Sequence, residues 1–244
     1  MSTKETSAKL PPYWGDDTLS EFVAASFANT LATFVRRKGE FKLLQRIDKC
    51  FVSIIDGISN PSDFLGAILL IRSHSAYRGA ARLAISGQVP DTFPLLRTCL
   101  EYALYALHIN RNPGLGETWL RRHDDEASLK AVRNKFANAA VIKTLEGVDA
   151  NLGSSVKALY ERTIDFGAHP NEQGVAGSMT MDETPGRKTF GGVQLHGDDL
   201  AMVHGLKTTA QIGVGALSIF ERIFETRFRL LAIDSELMHM RGFL

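Results

Sequence analysis

Apolar residues recur at intervals of three and four through most of this chain, and no other feature limits its fold so strongly. That period is the repeat of a helix face seated on a core, not of a strand. Leu19, Phe22, Val23, Phe27, Leu31 and Phe34 keep the rhythm behind Asp16 and Asp17, either of which can cap a helix that closes at "RRKG". A second helix is expected from Glu40, carrying Leu43, Leu44, Ile47, Cys50, Phe51 and Ile54. The third opens at "NPSD", with Asn60 as cap and Pro61 in the first helical position, and runs to Gly87 as a left-handed stop. Asp91 or Thr92 caps the fourth, which reaches about Asn112 before the breaker "NPGLG".

Beyond that loop, Trp119 to about Leu145 is helical by pattern, with a break at "RHDDE", and Ser154 to Phe166 is helical again. From Ala168 to Gly197 the chain turns rich in Gly and Thr, and two short β-like runs flank Thr184-Pro185-Gly186 as a hairpin. A last helix starts at Asp198 or Asp199 and continues to about Ile233, or on to the C-terminus. The expected fold is all-α: a bundle of about seven helices in one domain over 15–244, behind a flexible tail at 1–14, with a hairpin insertion at 168–197. No period of 20 to 50 residues repeats, so the pattern is not a solenoid's.

The formal charge of the 244 residues is +1, which argues against bulk electrostatic grip on long nucleic acid and leaves room for a local basic pocket. Cys50 and Cys99 lie in apolar runs without metal-ligand spacing and read as reduced core residues of a reducing cytoplasm. The start, "MSTKETSAKLPPYW", is polar, and the longest uncharged apolar run, "FLGAILLI", is too short for a bilayer. The chain is therefore expected to be cytoplasmic, with no membrane contact.

Candidate functional residues come from polar stripes on apolar helices. At about 100° per residue, the fourth helix places Arg97, Glu101, Tyr105 and His108 in one stripe. The third places Arg72, Ser75, Arg78, Arg82 and Ser86 on one side. Consecutive helices joined by a short turn pack antiparallel, so the two stripes are expected to face each other across an Arg-rich groove containing Glu101. Such a groove serves either as a salt-bridge network between helices or as an anion site suited to the planar fork of arginine.

A second candidate is "LYERTIDFGAHPN", where Arg162 and His169 stand seven residues apart at a helix end. Histidine moves protons near neutral pH and arginine stabilises charge on phosphate oxygens, so together they suit a phosphodiester without a metal. An all-helical chain with this element resembles the HEPN superfamily, whose members include metal-independent RNases of toxin-antitoxin and phage-defence systems. "LLRTCLEYALYA" is similar to segments of bacterial HEPN-like domains, and with the third helix the likeness covers roughly Phe64 to Asn171. The resemblance implies a homodimer acting on RNA, Arg162 and His169 as its catalytic pair, and no cofactor. The residue after the arginine, usually polar Asn, Asp or His, is here Thr163.

The same pair also reads as ordinary helix-end chemistry, with Arg162 paired to Glu161 or Asp165 and His169 on the last carbonyls before Pro170. Two functions therefore stand open: a homodimeric HEPN-like RNase, and an inert helical module that dimerises or binds an anion or a partner protein. "HGDDLAMVH" offers His196, Asp198, Asp199 and His204, and "ELMH" offers Glu236 and His239, but capping and surface pairing explain both, and no metal is expected. The apolar face of "AQIGVGALSIFERIFETRFRLL" suits either the chain's own core or a second subunit.

Overall fold

The long helix α10, Leu200–Glu221, is the axis of the molecule. It packs against α2 (Lys38–Ile55), α3 (Phe64–Ile85), α4 (Val89–Arg111), α8 (Ala150–Thr163) and α12 (Ile233–Arg241). Its sequence explains that place: from Ile212 to Phe220 every residue is buried, so no side of the helix can face water. Gly213 permits the close approach, since a Cβ there would stand 2.6 Å from Tyr77 Cε2 and 2.7 Å from Ile47 Cγ2. The apolar face of this segment therefore serves the chain's own core. The structure is a computed structural model and describes residues 11–59, 61–170 and 172–241.

Around this axis α3 and α4 form the most extensive helix pair, joined by the turn Ser86–Gln88. Tyr77, Phe51, Phe93, Leu96, Leu100, Leu104 and Phe220 are fully buried and belong to one continuous core cluster. Cys50 and Cys99 are buried free thiols, and burial pushes them up to about 11 and about 12 respectively, so both stay protonated. The remaining elements are α1 (Thr18–Arg36), α5 (Leu115–Leu120), α6 (Glu126–Lys135), α7 (Asn138–Val148), a π-helical turn over Ile164–Ala168, and α9 (Glu172–Ala176). Strands β1 (Met179–Thr184) and β2 (Arg187–Gly192) pair antiparallel, Thr184 opposite Arg187, and α11 is Glu225–Leu230. Every residue of the hairpin is exposed.

The chain is predominantly helical, as its periodicity implies, but twelve α-helices stand among the described residues where about seven were expected. The expected last helix is three pieces. It stops at Arg222, whose guanidinium bonds Asp149 Oδ2 at 2.9 Å, and breaks again where Ala232 takes a positive φ of 55°. In the expected span Trp119–Leu145 the break at "RHDDE" falls as expected, between Leu120 of α5 and Glu126 of α6, and a second, unexpected one falls at Phe136–Ala137.

The helix starts differ as well. Asp63 caps α3 by accepting from Gly66 N at 2.7 Å; Asn60, the expected cap, lies outside the described residues. Helix α4 begins at Val89 with Pro90 in its first turn, ahead of Asp91 and Thr92. Asp17 caps α1, accepting from Leu19 N and Ser20 N at 2.9 Å each.

Helix α1 supplies the largest departure in packing. Leu19, Val23, Phe27, Leu31 and Phe34, the apolar residues that revealed the helix, are exposed, while Ser20 and Thr33 are buried. The helix is held instead by polar bonds. Asn29 Nδ2 donates to Ser86 O at 2.9 Å and His196 O at 2.7 Å, and Arg37 pairs with Asp198 at 2.5 Å. Trp14, assigned to the tail, lines a cleft with Val23, Phe27 and Arg82; residues 1–10 lie outside the described residues.

Candidate functional site

The four residues of the α4 stripe face α6, α7 and α8. Arg97 Nε donates to Glu101 Oε1 at 2.8 Å, Tyr160 of α8 donates its hydroxyl to the same oxygen at 2.9 Å, and the Arg97 guanidinium lies 5.1 Å from the Tyr160 ring centroid. Burial opposes the charge of Arg97, but the Glu101 carboxylate outweighs it and raises its pKa; burial and Glu101 together push the Tyr160 hydroxyl up. The triad ties α4 to α8.

Tyr105 donates to Phe136 O at 3.3 Å with its ring against that of Phe136. His108 is buried between α4 and the α6–α7 junction, with Nε2 3.0 Å from Lys135 O and Nδ1 2.7 Å from Thr144 Oγ1. A carbonyl only accepts, so Nε2 carries the proton, and in the neutral ring that burial favours Nδ1 is left as an acceptor facing the Thr144 hydroxyl and the Asn112 amide.

The α3 stripe looks elsewhere. Arg78 grips Asp48 of α2 through Nε at 2.7 Å and Nη2 at 3.0 Å, and His74 Nε2 stands 2.7 Å from the same carboxylate. Arg82 is exposed beside α1 and α2, with no carboxylate within 4.0 Å among the described residues. Arg72 alone reaches across to α4, 5.6 Å from the Tyr102 ring centroid. The expected groove between facing stripes is therefore not formed: Arg78 and Arg82 turn to the α2 side, and Arg97, Glu101, Tyr105 and His108 to the α6–α8 side. Antiparallel neighbours were foreseeable, but the rotation of each helix about its axis was not, because either apolar flank of each helix could have served the α3–α4 contact.

Arg162 and His169 are separated by the π-helical turn, which the chain leaves at Gly167. Arg162 is half-buried and donates through Nη1 to Gln211 Oε1 of α10 at 2.5 Å; neither Glu161 nor Asp165 pairs with it. It lines a cleft of about 340 Å³ between α8, α10 and α12, walled by Leu152, Val156, Leu159 and Val214, with Arg241 at its far side. Arg241 is occupied by Ser218 Oγ at 2.6 Å and Glu221 Oε2 at 3.2 Å. His169 is exposed, extended, and absent from the lining of that cleft; neither ring nitrogen is hydrogen-bonded among the described residues.

The histidine that shares surroundings with Arg162 is His204 on α10. Burial lowers its pKa, and the positive charges of Arg162 and Lys207 lower it further, so the ring is neutral at pH 7. Among the described residues its Nε2 is buried without a hydrogen-bond partner, as is Thr208 Oγ1 one turn along the same helix. In "HGDDLAMVH" His204 reads as a possible metal ligand, and nothing in that run ties it to Arg162. The available signal was the spacing of His204, Thr208, Gln211 and Ser218, which share one side of the helix.

The other acidic and histidine groups have ordinary duties. Asp199 caps α10 through Met202 N at 2.8 Å and pairs with His196 Nδ1 at 3.0 Å, and Glu236 pairs with Arg46 at 2.7 Å. No group of three or more metal-ligating side chains converges among the described residues, and no helix there is long and apolar enough to cross a membrane.

His108 and His204 also set a pH dependence. Burial is the main cause that lowers both pKa values in the fold, so between the folded and unfolded values the unfolded chain binds more protons. Stability is therefore expected to be complete above the unfolded histidine value of about 6.5 and to fall as the pH drops below it. Thermal melts from pH 8 to pH 5 measure this; a midpoint that stays level down to pH 5 would contradict the neutral assignment of both rings.

Comparison with protein-family models, with curated proteins and with solved structures finds no match for this chain.

Proposed function

We propose that this chain is an anion-binding helical module whose binding element is the Arg162 cleft between α8, α10 and α12. One observation carries the reading: the half-buried Arg162 guanidinium is bonded to a neutral amide and has no carboxylate within 4.0 Å among the described residues. A desolvated cation without a counter-charge favours an anion, and arginine offers carboxylate or phosphate two parallel donors. The apolar walls add a demand of their own, so the ligand expected is an anionic head on an apolar body.

Octanoate is a suitable probe. Calorimetric titration of the wild type is expected to show saturable binding, weakened at least about tenfold, or ~1.4 kcal/mol, in Arg162→Met, which keeps the apolar stem and removes the fork. Equal affinity in the two proteins would remove Arg162 from the site.

A second reading keeps the HEPN-like resemblance: a metal-independent RNase of a toxin or phage-defence system, with Arg162 and His169 as its pair. It is favoured by His169 being exposed with both ring nitrogens unengaged among the described residues, as a proton carrier requires. RNA and a second copy of the chain are the partners in this reading, and the exposed apolar stripe of α1 is the surface on which that copy would seat. RNA cleavage in EDTA, leaving cyclic phosphate ends and lost in the Arg162→Ala, His169→Ala double variant, would support it. Absence of cutting by the wild type leaves the binding module as the function.

A further inference from the structure

The Arg162 cleft has a length as well as a charge. Helices α8 and α10 run antiparallel beside it. Arg162 bonds Gln211, a Cβ at Gly215 would stand 3.6 Å from Leu159 Cδ1 and 3.8 Å from Val156 Cγ2, and Arg222, just past the end of α10, bonds Asp149, the cap of α8. The cleft is the seam between these two helices, and at about 340 Å³ it is at the small end of ligand sites.

Both ends of the seam are polar and its middle is not. At one end the Arg162 guanidinium donates to Gln211 Oε1. At the other, Arg241 crosses from α12 and donates through Nη2 to Ser218 Oγ at 2.6 Å and Glu221 Oε2 at 3.2 Å. Between the two the lining is Val214 and Gly215 of α10 with Val156, Ala158 and Leu159 of α8. Ser155, also in the lining, spends its hydroxyl on its own helix at Asn151 O, 3.0 Å away.

The two ends differ in charge. Arg241 is matched by Glu221, whereas Arg162 has no carboxylate within 4.0 Å among the described residues. One unmatched guanidinium balances one negative charge, so a monoanionic head at Arg162 with an apolar tail toward Ser218 is favoured over a dianion or a chain charged at both ends. Gln211 and Ser218 are seven residues apart on α10, about 10 Å at the rise of a helix. An extended chain advances about 1.2 Å per bond, so roughly eight or nine bonds fill that distance. A methylene beyond it meets the Arg241–Ser218 bond, and displacing a bond to a charged group costs more than one methylene gains. Resting on the reading of Arg162 as the anion-binding group, we infer that the cleft selects an unbranched carboxylate of about eight to ten carbons, and that Arg241 is the specificity-determining residue that stops its chain.

Calorimetric titration with hexanoate, octanoate, decanoate and dodecanoate reads the length directly. In the wild type, affinity is expected to rise about fourfold for each added methylene as far as octanoate or decanoate, with dodecanoate no tighter than decanoate. Arg241→Ala removes the stop from an exposed position near the end of α12, and Glu221 keeps Arg222 at 3.7 Å, so the fold should persist. In this variant dodecanoate should bind at least about tenfold tighter than decanoate, with octanoate unchanged. A rise that runs unbroken to dodecanoate in the wild type, or a levelling at the same length in Arg241→Ala, would overturn the stop while leaving Arg162 as the head-group site. Octanoate binding equally to the wild type and Arg162→Met would remove the head-group site instead. No saturable binding at any length would overturn both.

Discussion

Phe51→Ala is expected to lower the free energy of unfolding by about 3–5 kcal/mol, the range for removing a fully buried aromatic ring. Phe51 is 0% exposed at the junction of α2 and α3, with the His74 ring stacked on it at 5.0 Å and the Tyr77 ring at 5.5 Å. The void left by its ring has little means to close. His74 is held by Asp48 at 2.7 Å, Tyr77 is tied through its hydroxyl to Leu44 O at 3.1 Å, and the far edge of Tyr77 already rests on Gly213 of α10. Urea titration of the variant beside Val52→Ala, an exposed neighbour on the same helix, measures the effect. The neighbour is expected to lie within about 0.5 kcal/mol of the wild type, and equal losses for the two would place the core elsewhere.

The second large effect is expected at Gly87. Its φ of 86° is left-handed, and an added Cβ would fall 2.2 Å from His196 O and 2.4 Å from Asn29 Nδ2. The same residue accepts from His196 N at 2.8 Å, while Asn29 bridges Ser86 O and His196 O. Three segments distant in sequence, α1, the α3–α4 turn and the approach to α10, are thus joined through one unsubstituted carbon. Gly87→Ala combines a left-handed alanine, about 1–2 kcal/mol, with a collision against backbone, about 1–3 kcal/mol.

The His196 amide is protected by its bond to Gly87 O, so hydrogen exchange there should accelerate in Gly87→Ala even where the global fold survives. Gly186→Ala is the control: its φ of 81° is also left-handed, but nothing stands within 4 Å of the added carbon. If both variants lose the same stability, the contact with His196 contributes nothing.

Much of the architecture was legible before any coordinates because helices announce themselves locally. Asp17 caps α1, Gly87 is left-handed, Asp199 caps α10, and Pro185-Gly186 turns the hairpin, each as the residue's own conformational preference dictates. The breaks were less legible. Nothing local marks Arg222 as a helix end; it ends α10 beside an aspartate that caps α8, seventy-three positions earlier in the chain. Asp63 and Asn60 are both cap-forming residue types; Asp63 caps α3 and also accepts from Asn110 of α4 at 2.9 Å, a partner that no local pattern shows.

The candidate site was the least legible part. Spacing along the chain joined Arg162 to His169, whereas the space around Arg162 holds Gln211 and the charge-coupled His204, both from α10. The α1 stripe misled in the opposite sense: an apolar period predicts a helix, and α1 is one, yet Leu19, Phe27 and Leu31 are exposed because Asn29 and Arg37, not that stripe, attach it.

By itself, then, the amino-acid sequence determined the all-helical class, most caps and turns, and which residues of α2, α4 and α10 are apolar enough to be core. These depend on backbone preference and on burial periods, which act within a few residues. The tertiary structure alone decided which flank of each helix turns inward, and with it the separation of the α3 and α4 stripes, the placing of Arg162 beside Gln211, and the unbonded nitrogen of His204. Those depend on rotation and docking of whole helices, set by the fit of many distant side chains at once, and no local pattern records that sum.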